Sequence, residues 1–137
     1  MPKTKLLIAG LLLNAAIATS ALAASNPLSV HVLNLQDGLP SAGVSVSLEK
    51  KVDNKWVHIS EGVTNAQGRI PALYPSESIM EKGNYRVTFQ TEEWFNKQKT
   101  STFFPEIPVI FKADGSVPHY HIPLLLSPYG FSSYRGN

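Results

Sequence analysis

The chain of 137 residues contains no cysteine. That absence removes a thiol nucleophile, a thiolate metal site and any disulfide staple, so the fold must be held by burial alone. Also missing are a Gly-x-x-x-x-Gly-Lys phosphate loop, a Gly-x-Gly-x-x-Gly dinucleotide fingerprint and a Gly-x-Ser-x-Gly nucleophile elbow. Charge of one sign is scarce: 12 Lys plus Arg face 10 Asp plus Glu, for a net charge of +2. Long apolar runs are confined to the N-terminus, where Lys3 and Lys5 precede Leu6–Leu13 and Ala15–Ala18, and the run closes on Ala21-Leu22-Ala23. A positive start, a short apolar middle and a small-x-small end describe a secretory signal peptide cleaved after Ala23. A membrane anchor competes for these residues, but Asn14, Thr19 and Ser20 interrupt it, and it barely reaches the ~20 apolar residues a spanning helix needs. The expected organisation is therefore a leader over residues 1–23 and one domain over 24–137. Loss of the leader removes Lys3 and Lys5 and balances the charges, which excludes the electrostatic footprint of a nucleic-acid partner or of an anionic membrane surface.

What remains is apolar enough, at 43% hydrophobic residues, to build a core. Short alternating segments separated by turn signals dominate. Leu28–Leu33, Val44–Leu48, Trp56–Ile59, Arg69–Leu73, Tyr85–Phe89, Pro108–Phe111, His119–Leu126 and Phe131–Arg135 read as eight strands. Asp37-Gly38, Asp53-Asn54, Thr64–Gly68 and Lys82–Asn84 supply turns between them. Such spacing predicts an all-β, antiparallel β-sandwich. Thr91–Gln98 breaks the pattern: Thr91 as N-cap, Glu92-Glu93 in the first turn and Lys97 near the end predict one short surface helix.

Few groups remain to carry chemistry. Glu49, Asp53, Glu92, Glu93 and Asp114 fall at turns or polar strand positions, where solvated carboxylates belong. The histidines say more. His31 lies on the strand face opposite Val30 and Val32, and His119 and His121 share the face opposite Tyr120, Ile122 and Leu124. Two strands thus place imidazoles on the outward face of a sheet, where proton transfer near neutral pH becomes available. Surface or interface histidines are the plainer reading of the same spacing. His-x-His with His31 as a third nitrogen also matches a zinc-ligand pattern. His58, beside Trp56 on a polar strand face, reads as structural. Arg69, directly after a Gly turn, and Arg135 near the chain end each offer a planar donor fork suited to an acidic, planar substrate. The closing run Tyr129–Asn137 is aromatic and polar to the last residue, unlike a terminus that frays.

Leu28-Ser-Val-His-Val-Leu-Asn34, Gly68-Arg69, Phe104-Pro-Glu-Ile-Pro-Val109 and His119-Tyr-His-Ile-Pro-Leu-Leu-Leu-Ser-Pro-Tyr-Gly130 with Tyr134-Arg-Gly136 resemble the 5-hydroxyisourate hydrolases, the enzymatic branch of the transthyretin-like family. The resemblance spans essentially the whole domain, and its C-terminal motif is one that hormone-carrying transthyretins lack. It implies an eight-stranded sandwich with one short helix, a homotetramer with active sites where two dimers meet and, with the leader, a periplasmic location. The activity implied is the ring-opening addition of water to 5-hydroxyisourate, giving 2-oxo-4-hydroxy-4-carboxy-5-ureidoimidazoline in urate breakdown, with no metal or other cofactor. By position the family's catalytic residues fall on His31, Arg69 and His121, a choice over His119 that spacing alone does not make. Its substrate-binding tail falls on Tyr134, Arg135, Gly136 and Asn137. Asn137 departs from the family's closing Ser, so a role that needs a hydroxyl is lost there. A non-catalytic carrier would keep the fold without needing His31, Arg69 and the tail together, and an adhesion or chaperone-like sandwich would need none of them.

Overall fold

Alternation along β1 (Leu28–Asn34) sends Leu28, Val30 and Val32 into the core and leaves Ser29, His31 and Leu33 half-buried on the other face. The same period-two rule operates in β3 (Ser45–Val52) and β6 (Gly83–Phe89), which bury Val46, Leu48, Tyr85, Val87 and Phe89. It also holds in β8 (Tyr120–Ser127), which buries Tyr120, Ile122, Leu124 and Leu126. Facing rows of these side chains form one core between two sheets. Burial at roughly 1.5–3 kcal/mol per large apolar side chain is what substitutes for a covalent crosslink. The computed structural model describes residues 25–137, so the expected leader over 1–23 lies outside the described residues.

The first sheet runs β2 (Leu39–Pro40), β1, β8, β9 (Gly130–Ser133), with β5 (Arg69–Ile70) also on β1. The second runs β4 (Lys55–Val63), β3, β6, β7 (Ile107–Ala113). All the strand pairings described are antiparallel except β1–β8, which is parallel. The expected sandwich is present with one parallel pair at the centre of the first sheet. Alternation is a local property and carries no strand direction; between β1 and β8 the chain passes through the whole second sheet, the long crossover a parallel pair requires. Two strands are two-residue pieces, and the segment expected over Arg69–Leu73 pairs only at Arg69-Ile70. The β3–β4 hairpin turns on Asp53 and Asn54, both with positive φ, the conformation a two-residue turn between twisted strands demands.

The helix is α1 (Thr91–Lys97), but its N-cap is Gln90 without a side-chain cap bond. Thr91 is buried inside the helix, and its hydroxyl donates instead to the Phe104 carbonyl at 2.6 Å. The inward side is anchored by Trp94 and Phe95, both buried, with the indole N–H donating to the Ala42 carbonyl at 2.8 Å.

Candidate active site

A glycine turn sets the first element. Asn65 Oδ1 accepts from the backbone N–H groups of Gln67 and Arg69, at 3.0 Å each. Gly68 then takes φ +70°, and a Cβ on it would lie 2.6 Å from the Val32 carbonyl oxygen. Only glycine fits that approach, and the turn delivers Arg69 into register opposite His31. Arg69 itself is exposed.

The parallel β1–β8 pair sets the second. Its register places Ser29 opposite His121 and His31 opposite Pro123, so the outward side chains of two central strands meet. The rings of His31 and His121 lie 6.5 Å apart between centroids and 26° from parallel. Ser29 Oγ stands 2.7 Å from Nδ1 of His121 and 2.9 Å from Nε2 of His119. His119 Nδ1 in turn lies 2.8 Å from the carbonyl oxygen of Asn26. His121 is only 8% exposed, unusual for an outward sheet position in a single chain.

Burial holds the pKa values of both His31 and His121 below the ordinary 6.5, and the Arg69 guanidinium adds to this in each case. His119 and His31 contribute further to the lowering at His121. Backbone carbonyls of Gln67 at His31 and of Ser29 at His121 act in the opposite sense. With their pKa values lowered, these imidazoles are able to accept a proton near neutral pH, and the exposed Arg69 guanidinium lies close enough for its charge to act on both.

The C-terminal segment supplies the third element. The Gly136 N–H donates to the His121 carbonyl at 2.9 Å, and a Cβ on Gly136 would overlap Cδ2 of His121 and stand 3.1 Å from its Cγ. The tail is therefore laid directly against the imidazole. Arg135 shares a groove of about 190 Å³ with His121, Tyr120 and Phe111. Tyr134 turns to an adjoining groove with Val109 and Ile110, between β7 and β9. Tyr134 and Asn137 are exposed and make no side-chain hydrogen bond among the described residues.

Of the residues singled out from the sequence, the single chain thus gathers His31, Arg69, His121 and Gly136. Arg135 approaches His121 from the side of the β7–β9 edge. His58 is exposed on the outer face of the other sheet, in register with Glu49, and Trp56 beside it packs under Arg86 at 4.6 Å. Among the described residues no three His, Cys, Asp or Glu side chains are arranged to hold a metal ion. The zinc pattern open to His31, His119 and His121 is thus not assembled: His119 and His121 both turn a nitrogen to Ser29. The sequence reading passed over Ser29 and Asn26. The available signal was that Ser29 shares the outward face of β1 with His31, a short hydroxyl between imidazoles.

A two-sheet sandwich carrying two neutral imidazoles and a guanidinium on one outward sheet face is the framework of a small hydrolase or of a ligand carrier. The chain belongs to the Transthyretin family, described as HIUase/Transthyretin, whose profile matches residues 28–136. It is 51% identical over 123 residues to the 5-hydroxyisourate hydrolase of Salmonella typhi, covering 90% of each chain. With the mouse 5-hydroxyisourate hydrolase it shares 33% over 115 residues, 82% of this chain and 97% of that one. Among solved structures it resembles the Klebsiella pneumoniae 5-hydroxyisourate hydrolase (TM-score 0.68, 33% identity, 82% of this chain and 94% of that one). It also resembles sea bream transthyretin in complex with thyroxine (TM-score 0.75, 32% identity, 80% of this chain and 94% of that one).

Proposed function

We propose that this protein hydrolyses 5-hydroxyisourate, the compound named in its bacterial and mouse relatives. The observation that carries this reading is the meeting of His31, His121 and Arg69 on one outward face, in a chain 51% identical to the Salmonella typhi hydrolase. A neutral imidazole takes a proton from water, and the water oxygen bonds to a ring carbonyl carbon. The carbonyl oxygen becomes an alkoxide, which the Arg69 guanidinium stabilises. Collapse restores the carbonyl and breaks the ring C–N bond, and the imidazolium returns its proton to the leaving nitrogen. The six-membered ring is thereby opened. General-base help of this kind supplies about 10²–10⁴-fold, and an oxyanion donor about 10²–10³-fold. Arg135 and the tail residues Tyr134, Gly136 and Asn137 position the substrate.

Two features support a homotetramer with sites at the junction of dimers. The imidazoles lie on an open sheet face that a second subunit would close, and β7 and β9 end their sheets unpaired. Ile110, Phe131 and Tyr134 are exposed apolar side chains along those edges, where an unpaired strand invites another chain. Residues 1–23 act as a cleaved leader that directs the domain to the periplasm; N-terminal sequencing of the exported protein should begin at Ala24.

Likeness to sea bream transthyretin gives a carrier as the second reading, since it shares the fold without requiring turnover. Ultraviolet decay of freshly generated 5-hydroxyisourate, with and without the purified domain, separates the two. A hydrolase accelerates the decay and yields one product enantiomer, whereas a carrier binds and leaves the rate unchanged.

A further inference from the structure

We infer that His119 and Ser29 are positioning residues for the hydrolysis proposed above: a hydrogen-bonded chain from the Asn26 carbonyl through both fixes His121 as the tautomer protonated on Nδ1 and leaves its Nε2 lone pair free as the base. This rests on the hydrolase reading and assigns the proton acceptor within it.

The direction of each proton follows from its neighbour. A backbone carbonyl only accepts, so the 2.8 Å contact requires an N–H on Nδ1 of His119. A neutral imidazole with its proton there has only a lone pair on Nε2, so the Ser29 hydroxyl donates to it across 2.9 Å. With its single hydrogen used, Ser29 Oγ meets Nδ1 of His121 at 2.7 Å as an acceptor, and Nδ1 of His121 bears the proton. Nε2 of His121 has no hydrogen-bond partner among the described residues, and of the ring nitrogens of His119 and His121 it is the one whose lone pair is left free. His119 therefore never needs to touch substrate, although it shares a strand face with His121. Serine suits its place because one short hydroxyl is both donor and acceptor, and the parallel register sets it directly across from His121. Alanine would break the chain, whereas threonine would keep it.

The decisive measurement is nitrogen NMR of the labelled domain at mildly alkaline pH, where imidazoles are neutral, paired with kinetics on the same samples. In the unaltered protein the His121 Nδ1 signal should be that of a protonated ring nitrogen and Nε2 that of a bare one. In Ser29→Ala the two should average toward each other, and kcat should fall about 10–100-fold with KM within about twofold, because the base is released from its tautomer but not removed. Ser29→Thr should restore both signals and rate. His119→Phe, which breaks the chain one link earlier, should repeat the alanine result. A proton found on Nε2 of His121 in the unaltered protein overturns the chain outright. So does Ser29→Ala at full kcat while His121→Ala is inactive, a result that leaves the hydrolase reading standing. Failure of the unaltered domain to accelerate 5-hydroxyisourate decay defeats the function itself, and the nitrogen signals still report the tautomer separately.

Discussion

Gly136→Ala should cost far more activity than stability. No positive φ is imposed at Gly136, so the added methyl meets no backbone penalty and acts only by occupying space. That space is taken, since the new Cβ would overlap Cδ2 of His121 and lie 3.2 Å from Cγ of Pro123. Either the imidazole rotates away or the tail lifts and loses the Gly136 N–H bond to the His121 carbonyl. A bond of this kind near a chain end contributes about 0.5–1.5 kcal/mol, so urea unfolding should shift by about 1 kcal/mol. Displacing a reacting group by about 1 Å costs on the order of 10²-fold in rate, and kcat/KM for 5-hydroxyisourate should fall accordingly. Gly130→Ala is the matched control, because its Cβ would meet only Ser127 Oγ at an ordinary 3.7 Å; both stability and rate should stay near the unaltered protein. A Gly136→Ala enzyme with full kcat/KM would show that the tail does not constrain His121, and the role given to Gly136 would fall.

Alanine at His31, Arg69 or His121 should each lower the rate by at least about 10²-fold, with His58→Ala near the unaltered enzyme in the same ultraviolet assay. Because burial and Arg69 hold His31 and His121 below the ordinary 6.5, the acid limb of kcat/KM should have its midpoint below 6.5, and Arg69→Gln should move the limb of the residual activity upward. The stability linkage has the same origin: the folded state binds fewer protons than the unfolded chain, so unfolding free energy should drop as pH falls through 6.5 towards the lowered folded values. Deleting Tyr134–Asn137, or extending the C-terminus with a long tag, should abolish turnover while circular dichroism stays β-rich, and Asn137→Ser should be neutral or mildly activating. Light scattering of the leaderless domain should give four times the monomer mass, and a fully active monomer would refute the interface site.

How far the sequence reveals this molecule depends on whether a feature is local. Core positions such as Leu28, Val30, Leu48, Tyr85 and Phe89 were readable because burial in a strand imposes a period of two. The outward placing of His31 and His121 followed from the same rule. The extent of β4 was not readable: a bulge at Leu48/Glu49 shifts the register and lets the strand run on to Val63, past the expected end at Ile59. Nor was the parallel β1–β8 pairing, which joins residues about ninety positions apart. That one non-local pairing is what puts Ser29 between His119 and His121, so the hydrogen-bonded chain at the site could not be seen before strand direction was known. Thr91 likewise has the composition of a cap, yet burial against Phe104 takes its hydroxyl elsewhere.

The fold alone does not separate a hydrolase from a carrier. Sea bream transthyretin, solved in complex with thyroxine, matches at a TM-score of 0.75 and the Klebsiella pneumoniae hydrolase at 0.68, so one framework holds a thyroxine complex in one protein and belongs to a hydrolase in the other. The reason is physical. The framework is specified by inward residues, whereas His31, Arg69, His121 and Ser29 lie on the opposite face of their strands and contribute little to the core. Such residues can change without changing the sandwich, and function can diverge at constant fold. The Gly68 turn and Gly136 are the exceptions: each allows a close backbone approach that also brings a functional group into place, Arg69 in one case and the tail against His121 in the other. Their presence beside His31 and His121 ties the placing of the site residues to backbone geometry, which similarity of the sheets alone does not do.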